Sequence, residues 1–247
     1  MERDEGLARL RALGFGATDA GTLWAHFDDA EQRGKLGHGH SRIEWLETQA
    51  GSFDPDAIPA ILEETDLYWR WNGNGAIGYL TVRDAVRHAI ERPPAHARLV
   101  VLERCFPTGM LGHYARLLAD AGLVGVLTAT SPARLGHPDG GPKLTGTNPL
   151  ALGIPSSDGR PVVVDVSMGA VTWGDVIAGR ATEEQLVPFG GPDAHKAFAL
   201  AVGFQLLVDA LVREPGYGVV LLVARPESDP VPALRELAAG VRLPGDA

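Results

Sequence analysis

The sequence predicts an α/β fold, with a mixed sheet flanked by helices. Short apolar runs rich in β-branched residues recur along the chain, as buried strands require, at residues 99–102, 123–128, 162–164 and 217–224. Segments with helical spacing of apolar residues alternate with these runs. With 247 residues and a hydrophobic fraction of 45%, the chain is long enough to bury a substantial core.

The N-terminal part is predicted to be helical and the remainder to alternate. Leucines at positions 7, 10 and 13 have helical spacing, and a second helix begins at Thr18-Asp19. Residues 67–71 are interpreted as a strand that turns back at Asn72-Gly73-Asn74-Gly75 into a second strand at 76–79. Other segments are assigned to a linker with a short helix (54–64) and to helices (81–91, 113–121, 196–212 and 230–239).

We expect one catalytic unit over residues 1–247. Within it, residues 1–66 form the helical N-terminal part, and residues 67–247 form the α/β part.

Composition argues against several classes of protein. The formal net charge is −9, and Lys and Arg form no basic run, so nucleic acid is not an expected partner. The apolar stretches are judged too short to cross a bilayer, and the charged N-terminus has no apolar signal core, which predicts a cytoplasmic protein. The lone Cys105 excludes an internal disulfide and is interpreted as a core residue. No Rossmann fingerprint, P-loop or GxSxG motif is present.

Residues 143–169 hold the densest group of chemically informative residues. A tight turn at Gly146-Thr147-Asn148-Pro149 precedes the apolar run 162–164, which ends on Asp165. A carboxylate at the end of a buried strand, next to Ser167 and small residues, suits a polar ligand. A capping Asp before a helix explains the same pattern equally well.

His38 and Arg42 form the clearest catalytic pair. They lie four residues apart at a Gly-bracketed entry to a helix, so they are expected to project to one side. An imidazole that donates a proton, beside a guanidinium that binds a carboxylate, suits the reduction of an α-keto or α-imino acid. Surface His residues with a surface salt bridge are the alternative. A metal site at His38 and His40 is disfavoured because no Cys or carboxylate stands at useful spacing nearby.

Lys196 opens a strongly apolar helix. A cation at a helix N-terminus opposes the helix dipole unless an anion lies there, so Lys196 is a candidate for contact with an anion or a cofactor. An ordinary surface lysine is the alternative.

Taken together in order, these motifs resemble those of the malate/L-lactate dehydrogenase family of the second, non-Rossmann type. Arg33-Gly34 with His38-Gly39-x-x-Arg42-Ile43 is similar to its RG…SHGxxR[LI], and Gly146-Thr147-Asn148-Pro149 to its GTNP. Further matches are found at Gly109–Ala115, 121–125, Gly140-Gly141, Asp165–Met168, Pro188–Lys196 and 241–245. The similarity runs almost from end to end.

The resemblance implies a homodimeric NAD(P)H-dependent oxidoreductase that reduces a small 2-oxo acid or cyclic 2-imino acid. His38 is then the proton donor, and Arg42 holds the carboxylate. NADH or NADPH is expected along a set of cofactor-binding residues: Gly146, Thr147, Asn148, Val164, Asp165, Val166, Ser167, Met168 and Lys196. No metal is expected.

Several positions depart from the family pattern. Gly37 replaces the Ser before the His, Pro107 replaces a His, and Asp175 stands where a Lys is usual. A carboxylate near a cofactor phosphate is expected to disfavour NADPH. The segment between residues 176 and 186 is also short. The alternative is therefore a divergent member that catalyses a non-redox isomerisation or elimination, or acts as a non-catalytic partner protein.

Overall fold

The structure of the protein is a computed structural model and describes residues 1–246. These residues contain seven strands and eight α-helices. The strands are β1 (Ala60–Glu64), β2 (Tyr68–Asn72), β3 (Ala97–Glu103), β4 (Val124–Ala129), β5 (Leu150–Ile154), β6 (Val162–Val166) and β7 (Val219–Ala224). The helices are α1 (Arg3–Ala12), α2 (Ala17–Gln32), α3 (Ser41–Thr48), α4 (Gly78–Glu91), α5 (Leu111–Asp120), α6 (Trp173–Ile177), α7 (Ala194–Leu211) and α8 (Val231–Ala238).

All seven strands form one mixed sheet in the order β1-β2-β3-β7-β4-β5-β6. Only β2 and β3 are parallel neighbours, and α4 makes the crossover between them. The last strand, β7, lies antiparallel between β3 and β4. β7 is antiparallel to both β3 and β4, and β5 is antiparallel to both β4 and β6. The strands β2, β3, β4 and β6 therefore all point the same way. Their C-terminal ends therefore share one edge of the sheet.

Two main hydrophobic clusters hold the elements together. The larger one joins the sheet to α4 and α5 through fully buried side chains such as Trp69, Leu118 and Leu127. The second joins the N-terminal helices to the first turn of α4, where Phe27 packs with Tyr79. α4 belongs to both clusters, so it fixes the N-terminal helices against the sheet.

The predicted hairpin of residues 67–79 is wrong, and a different hairpin lies one strand earlier in the chain. β1 pairs with β2 across a short turn in which Thr65 N–H donates to Tyr68 O. The short helix expected within residues 54–64 is therefore wrong, whereas residues 54–59 form neither helix nor strand, as expected of a linker. The turn Asn72–Gly75 exists, with Asn74 and Gly75 at positive φ. It leads into α4 rather than into a strand, because Ile77 and Tyr79 bury their side chains against the N-terminal helices.

The strand β5 follows the GTNP turn and was not predicted. Its burial alternates along the strand, and it contains Gly153, which weakens a sequence-based strand prediction. The glycine is needed for packing, since a Cβ there would lie 2.1 Å from the carbonyl oxygen of Ala115 in α5.

Helix α7 is apolar on nearly every side. The segment Gly191–Leu211 has the length and composition to span a bilayer, so the expectation that no apolar stretch is long enough is wrong on those criteria. Core helices of globular proteins meet the same criteria. Here α7 buries Ala197 and Ala201 within the fold, whereas Leu200, Leu206 and Leu207 are exposed.

We expect Gly153→Ala to destabilise the protein by about 1–3 kcal/mol, because the added methyl group would collide with the backbone of α5. Chemical denaturation followed by circular dichroism measures the free energy of unfolding. Gly21→Ala in α2 is the matched control: nothing lies near the added Cβ, so a gain of about 0.5–1 kcal/mol in helix stability is expected. Equal effects of the two substitutions would contradict the close packing of β5 on α5.

Candidate active site

A cavity of about 110 Å³ lies at the sheet edge where the parallel-oriented strands end. We call it cavity 1. Its walls come from the loops that follow β3, β4 and β6 and from the segment between α2 and α3. The C-terminal edge of co-oriented strands is the usual place for a ligand in open α/β sheets, because loops from several strands converge there.

His38 and Arg42 both line cavity 1, as their spacing predicted. His38 ends the 3₁₀ turn Leu36–His38, whereas Arg42 lies in the first turn of α3, so the pair spans two elements. The ring atom Nδ1 of His38 is buried and has no hydrogen-bond partner within residues 1–246. Burial, together with the nearby charges of Arg42 and Lys35, lowers the pKa of His38 to about 3, and burial is the largest of these causes. The imidazole is therefore neutral near pH 7.

Arg42 is 7% exposed and has no carboxylate partner in the described part of the chain. Its Nε donates to Gly37 O at 2.9 Å, and its Cζ lies 5.1 Å from the centre of the Trp45 ring. These contacts fix the guanidinium plane while both Nη groups remain free of ion pairs. An immobilised guanidinium of this kind can bind a carboxylate with two parallel hydrogen bonds.

The His38 turn packs unusually close to α6, and two glycines permit this. A Cβ on Gly174 would lie 1.9 Å from Gly37 O and 2.8 Å from Nη2 of Arg42. A Cβ on Gly37 would lie 2.5 Å from Oδ1 of Asp175. Gly37 and Asp175, the two positions at which we expected departures from the family pattern, therefore lie against each other.

Asp175 caps α6 and lines neither cavity of the site. Thr172 donates to its Oδ2 through the backbone N–H (2.8 Å) and the hydroxyl (2.7 Å), and Asp175 N–H donates to Oγ1 of Thr172. This reciprocal capping box occupies the carboxylate. The expected repulsion of NADPH by Asp175 thus has no direct geometric basis in the lining of the site.

The loop before α5 forms another wall and is fixed by a buried histidine. Met110 N–H donates to Nε2 of His26 at 3.0 Å. Burial, followed by the neighbouring His113, keeps the pKa of His26 well below its usual value, which keeps that nitrogen available as an acceptor. Pro107 and Thr108 of the same loop also line cavity 1.

A second cavity, of about 560 Å³, adjoins the first, and we call it cavity 2. Lys35, Met110 and Asp165 line both cavities and so mark their junction. Three arginines line cavity 2, namely Arg33, Arg116 and Arg242. They are anchored by Asp29, by Gly245 O and by Asp246 O respectively, so cationic groups are held in place around this space.

Asp165 is the penultimate residue of β6 and lies beside the N-terminus of α5. Burial raises the pKa of its carboxyl, whereas the charge of Lys35 and the N–H of Gly112 oppose that rise. A Cβ on Gly112 would lie 2.8 Å from the Cβ of Asp165, so glycine is needed for this approach. Nζ of Lys35 donates to Asp165 O at 3.1 Å. The cation is thereby fixed at the junction of the two cavities.

The structure brings together some of the predicted cofactor-binding residues and separates others. Thr147, Asp165 and Ser167 line cavity 1, and Val164, Asp165 and Val166 line cavity 2. The remaining four, Gly146, Asn148, Met168 and Lys196, line neither.

Three of these four residues have contacts that explain their position. Asn148 is fully buried and donates to Ala201 O and to Gln205 of α7, both at 3.0 Å. Met168 packs against Leu135 and Ala201. Lys196 pairs with Asp193 at 2.9 Å on the surface.

Several lining residues were not predicted. Lys35, Arg134 and Trp173 lie in no family motif, and the sequence gives no periodic signal for them. Arg33, Gly112 and Arg242 lie within the motifs but had no role assigned to them. Their proximity depends on where the loops meet, which the sequence does not show. His40, by contrast, stacks on Trp24 and contacts Asp28, away from cavity 1.

Several known enzymes have sequences similar to this chain. Malate/(S)-sulfolactate dehydrogenase of Methanothermus fervidus is 28% identical over 233 residues, covering 83% of this chain and 67% of that protein. The Delta(1)-pyrroline-2-carboxylate/Delta(1)-piperideine-2-carboxylate reductase of Pseudomonas aeruginosa is 27% identical over 189 residues, covering 66% and 56%. The chain thus spans between about half and two thirds of the length of these relatives.

Solved structures show the same fold. A dehydrogenase from Sinorhizobium meliloti superposes with a TM-score of 0.79 at 25% identity, covering 99% of this chain and 88% of that one. The delta1-piperideine-2-carboxylate reductase from Pseudomonas syringae pvar. tomato superposes with a TM-score of 0.80 at 22% identity, covering 99% and 89%.

The non-Rossmann mixed sheet expected from the sequence is therefore confirmed. The family model for malate/L-lactate dehydrogenase matches residues 4–195, which is more than half of the chain. The protein belongs to the malate/L-lactate dehydrogenase family.

Proposed function

We propose that this protein is an NAD(P)H-dependent oxidoreductase that reduces a small 2-oxo acid or cyclic 2-imino acid. The observation that carries the proposal is the joint position of His38 and an unpaired Arg42 on cavity 1, which opens beside the cationic cavity 2 at Asp165. The names of the family relatives, which act on hydroxy acids and cyclic imino acids, support the same chemistry.

Arg42 binds the substrate carboxylate in this proposal. Its position is fixed by Gly37 O and Trp45, so little side-chain entropy remains to be lost on binding. A bidentate carboxylate on Arg42 would place the neighbouring carbonyl or imine carbon close to the wall formed by His38. Holding the reacting groups in this orientation lowers the entropic cost of bringing them together in the transition state.

His38 transfers the proton at the carbonyl oxygen or imine nitrogen. In the ligand-free site it is neutral at pH 7, which suits the acceptor role in the oxidative direction. Reduction requires the protonated form. A substrate carboxylate on Arg42 offsets the positive charge that lowers the pKa of His38, so substrate binding itself favours protonation.

The residues of the two cavities fit a dinucleotide. Cavity 2 lies within the range of roughly 300–1,000 Å³ that is common for small-molecule sites, and Arg33, Arg116 and Arg242 are suitable for phosphate groups. Asp165 can accept hydrogen bonds from hydroxyl groups at the junction. When bound there, the nicotinamide supplies the hydride. Thr147 and Ser167 line cavity 1, and Val164 and Val166 line cavity 2, so these four residues are candidates for further contacts with the cofactor. Lys196 remains a prediction.

A cytoplasmic homodimer is the form that we propose. The exposed apolar side chains of α7 (Leu200, Leu206 and Leu207) support this, since a single copy of the chain leaves them uncovered. A second copy of the chain would bury this surface.

A solution-mass measurement tests the dimer. Replacing Leu206 by Glu is expected to shift a dimer to monomer without unfolding it.

Fluorescence titration with NADH and with NADPH tests the cofactor, and we expect saturable binding of at least one. His38→Gln is then expected to lower the turnover of a 2-oxo or 2-imino acid by about 10²–10⁴-fold while cofactor affinity stays within a few fold. His96→Ala, at an exposed position outside both cavities, is the control. If neither NADH nor NADPH binds at millimolar concentration, the proposed reductase activity is contradicted and the non-redox alternative is favoured.

We expect the pKa of His38 to rise when an inert carboxylate such as oxamate binds. Because burial is the larger cause of the low value of about 3, the rise should be partial. NMR titration of carbon-labelled histidine measures it. Arg42→Gln should raise the pKa without ligand and abolish the further rise on adding oxamate. A pKa of His38 that does not respond to oxamate in the unmodified protein would separate His38 from the carboxylate site.

A further inference from the structure

Besides Lys35 and Arg42, a third cationic side chain, that of Arg134, lines the cavity that contains His38. It follows β4, and its backbone is fixed because Arg134 N–H donates to Thr145 O at 2.7 Å. Its Cζ lies 3.4 Å from the centre of the Trp173 ring, so the guanidinium stacks on the indole. No family motif includes Arg134, and the proposed reaction leaves it without a role.

Arg134 is held beside the cavity without a counter-ion. No carboxylate in the described residues forms an ion pair with it, and the acidic group whose charge it chiefly senses, Glu183, does not line the cavity. Burial lowers the pKa of the guanidinium. A partly buried cation without a partner is unfavourable, and an anionic ligand removes that penalty.

The balance of charge in cavity 1 indicates how many anionic groups the ligand carries. The cavity is lined by three cations, Lys35, Arg42 and Arg134, and by one carboxylate, Asp165. Lys35 is bound to the backbone of Asp165 and lies at the junction with cavity 2. Two guanidinium groups therefore remain unpaired.

The two unpaired guanidinium groups each lie against one of the first two residues of α6, and both line cavity 1. Arg134 stacks on Trp173, and Nη2 of Arg42 approaches the next residue, Gly174, so closely that a Cβ would not fit. His38 lines the same cavity. A ligand bound in cavity 1 is therefore bordered by both guanidinium groups and by His38.

We propose that the substrate is a dianionic 2-oxo acid, with its 2-oxo carboxylate on Arg42 and a second carboxylate or sulfonate on Arg134. The proposal rests on the proposed function for the reaction, but its binding part does not need the cofactor. Arg134 is then the residue that selects a dianionic substrate over a monoanionic one of similar length. A cyclic imino acid with a single carboxylate would leave it unpaired.

The first test is calorimetric binding of succinate and butyrate to the cofactor-free protein. We expect succinate to bind at least ~10-fold more tightly than butyrate. Arg134→Gln should abolish that difference by weakening succinate alone, and Arg42→Gln should weaken both ligands. Arg180→Gln is the matched control, an exposed arginine close to α6 that does not line the cavity, and should leave both affinities unchanged. Equal affinity for succinate and butyrate in the unmodified protein overturns the proposal, whatever the outcome of the nucleotide titration.

The second test uses turnover. With oxaloacetate and pyruvate as substrates, Arg134→Gln should lower kcat/KM for oxaloacetate by at least ~10²-fold and that for pyruvate by less than ~3-fold. The dissociation constant of NAD(P)H should stay within ~3-fold. Equal losses for both substrates, or a large loss of cofactor affinity, would assign Arg134 to the cofactor and overturn the proposal. A thermal melt of the variant identifies a folding defect, and in that case Arg134→Met, which retains apolar contact with Trp173, replaces it in both tests.

Discussion

The geometry of the candidate site depends on the contact between two short backbone segments, the turn at Gly37 and the start of α6 at Gly174. Neither position has room for a side chain. Through this contact, Gly37 O is available to Nε of Arg42, and α6 closes over the guanidinium. His38 follows Gly37 directly, so its place in the cavity wall depends on the same contact. A methyl group at either glycine would separate the segments and move both site residues.

The departures of this chain from its family are connected by that contact. Gly37 and Asp175 stand where the family pattern leads us to expect a serine and a lysine, and the two residues lie against each other. Asp175 and Thr172 form a capping box that gives hydrogen-bond partners to backbone N–H groups at the N-terminus of α6. This cap stabilises a helix of only five residues. A larger side chain at position 37 would collide with the capped carboxylate. The two changes are thus parts of one local repacking, and the sequence alone presented them as independent.

Much of the fold was predictable because strong local patterns reflect it. The apolar runs that became β3, β4, β6 and β7 are buried in the sheet, and their composition shows this. β5 was missed because Gly153 serves a tertiary contact with α5, and tertiary contacts are invisible in a local pattern. The N-terminal strand and the start of α4 were assigned wrongly for a related reason. Whether these segments form a strand or a helix depends on the elements that pack against them.

In the site, His38 and Arg42 could be predicted because both lie on one short stretch of chain. Arg134 and Trp173 could not, since they are 39 positions apart in a chain whose loops bring them into contact. Asn148 shows the opposite case. It lies in the most specific motif, yet its amide is used to hold the turn to α7. A motif residue can therefore shape a site without touching the ligand.

The central position of β7 has a consequence for how the chain reaches this structure. β3 and β4 are completed early in synthesis, but the strand that joins them lies near the C-terminus. Until residues 219–224 leave the ribosome, two buried strands present unpaired edges to each other across a gap one strand wide. Pairing over such a sequence distance is slow, and open edges of this kind attract other chains. Reliable assembly of the protein therefore depends on protecting an unfinished sheet during translation, a demand set by the order of its strands.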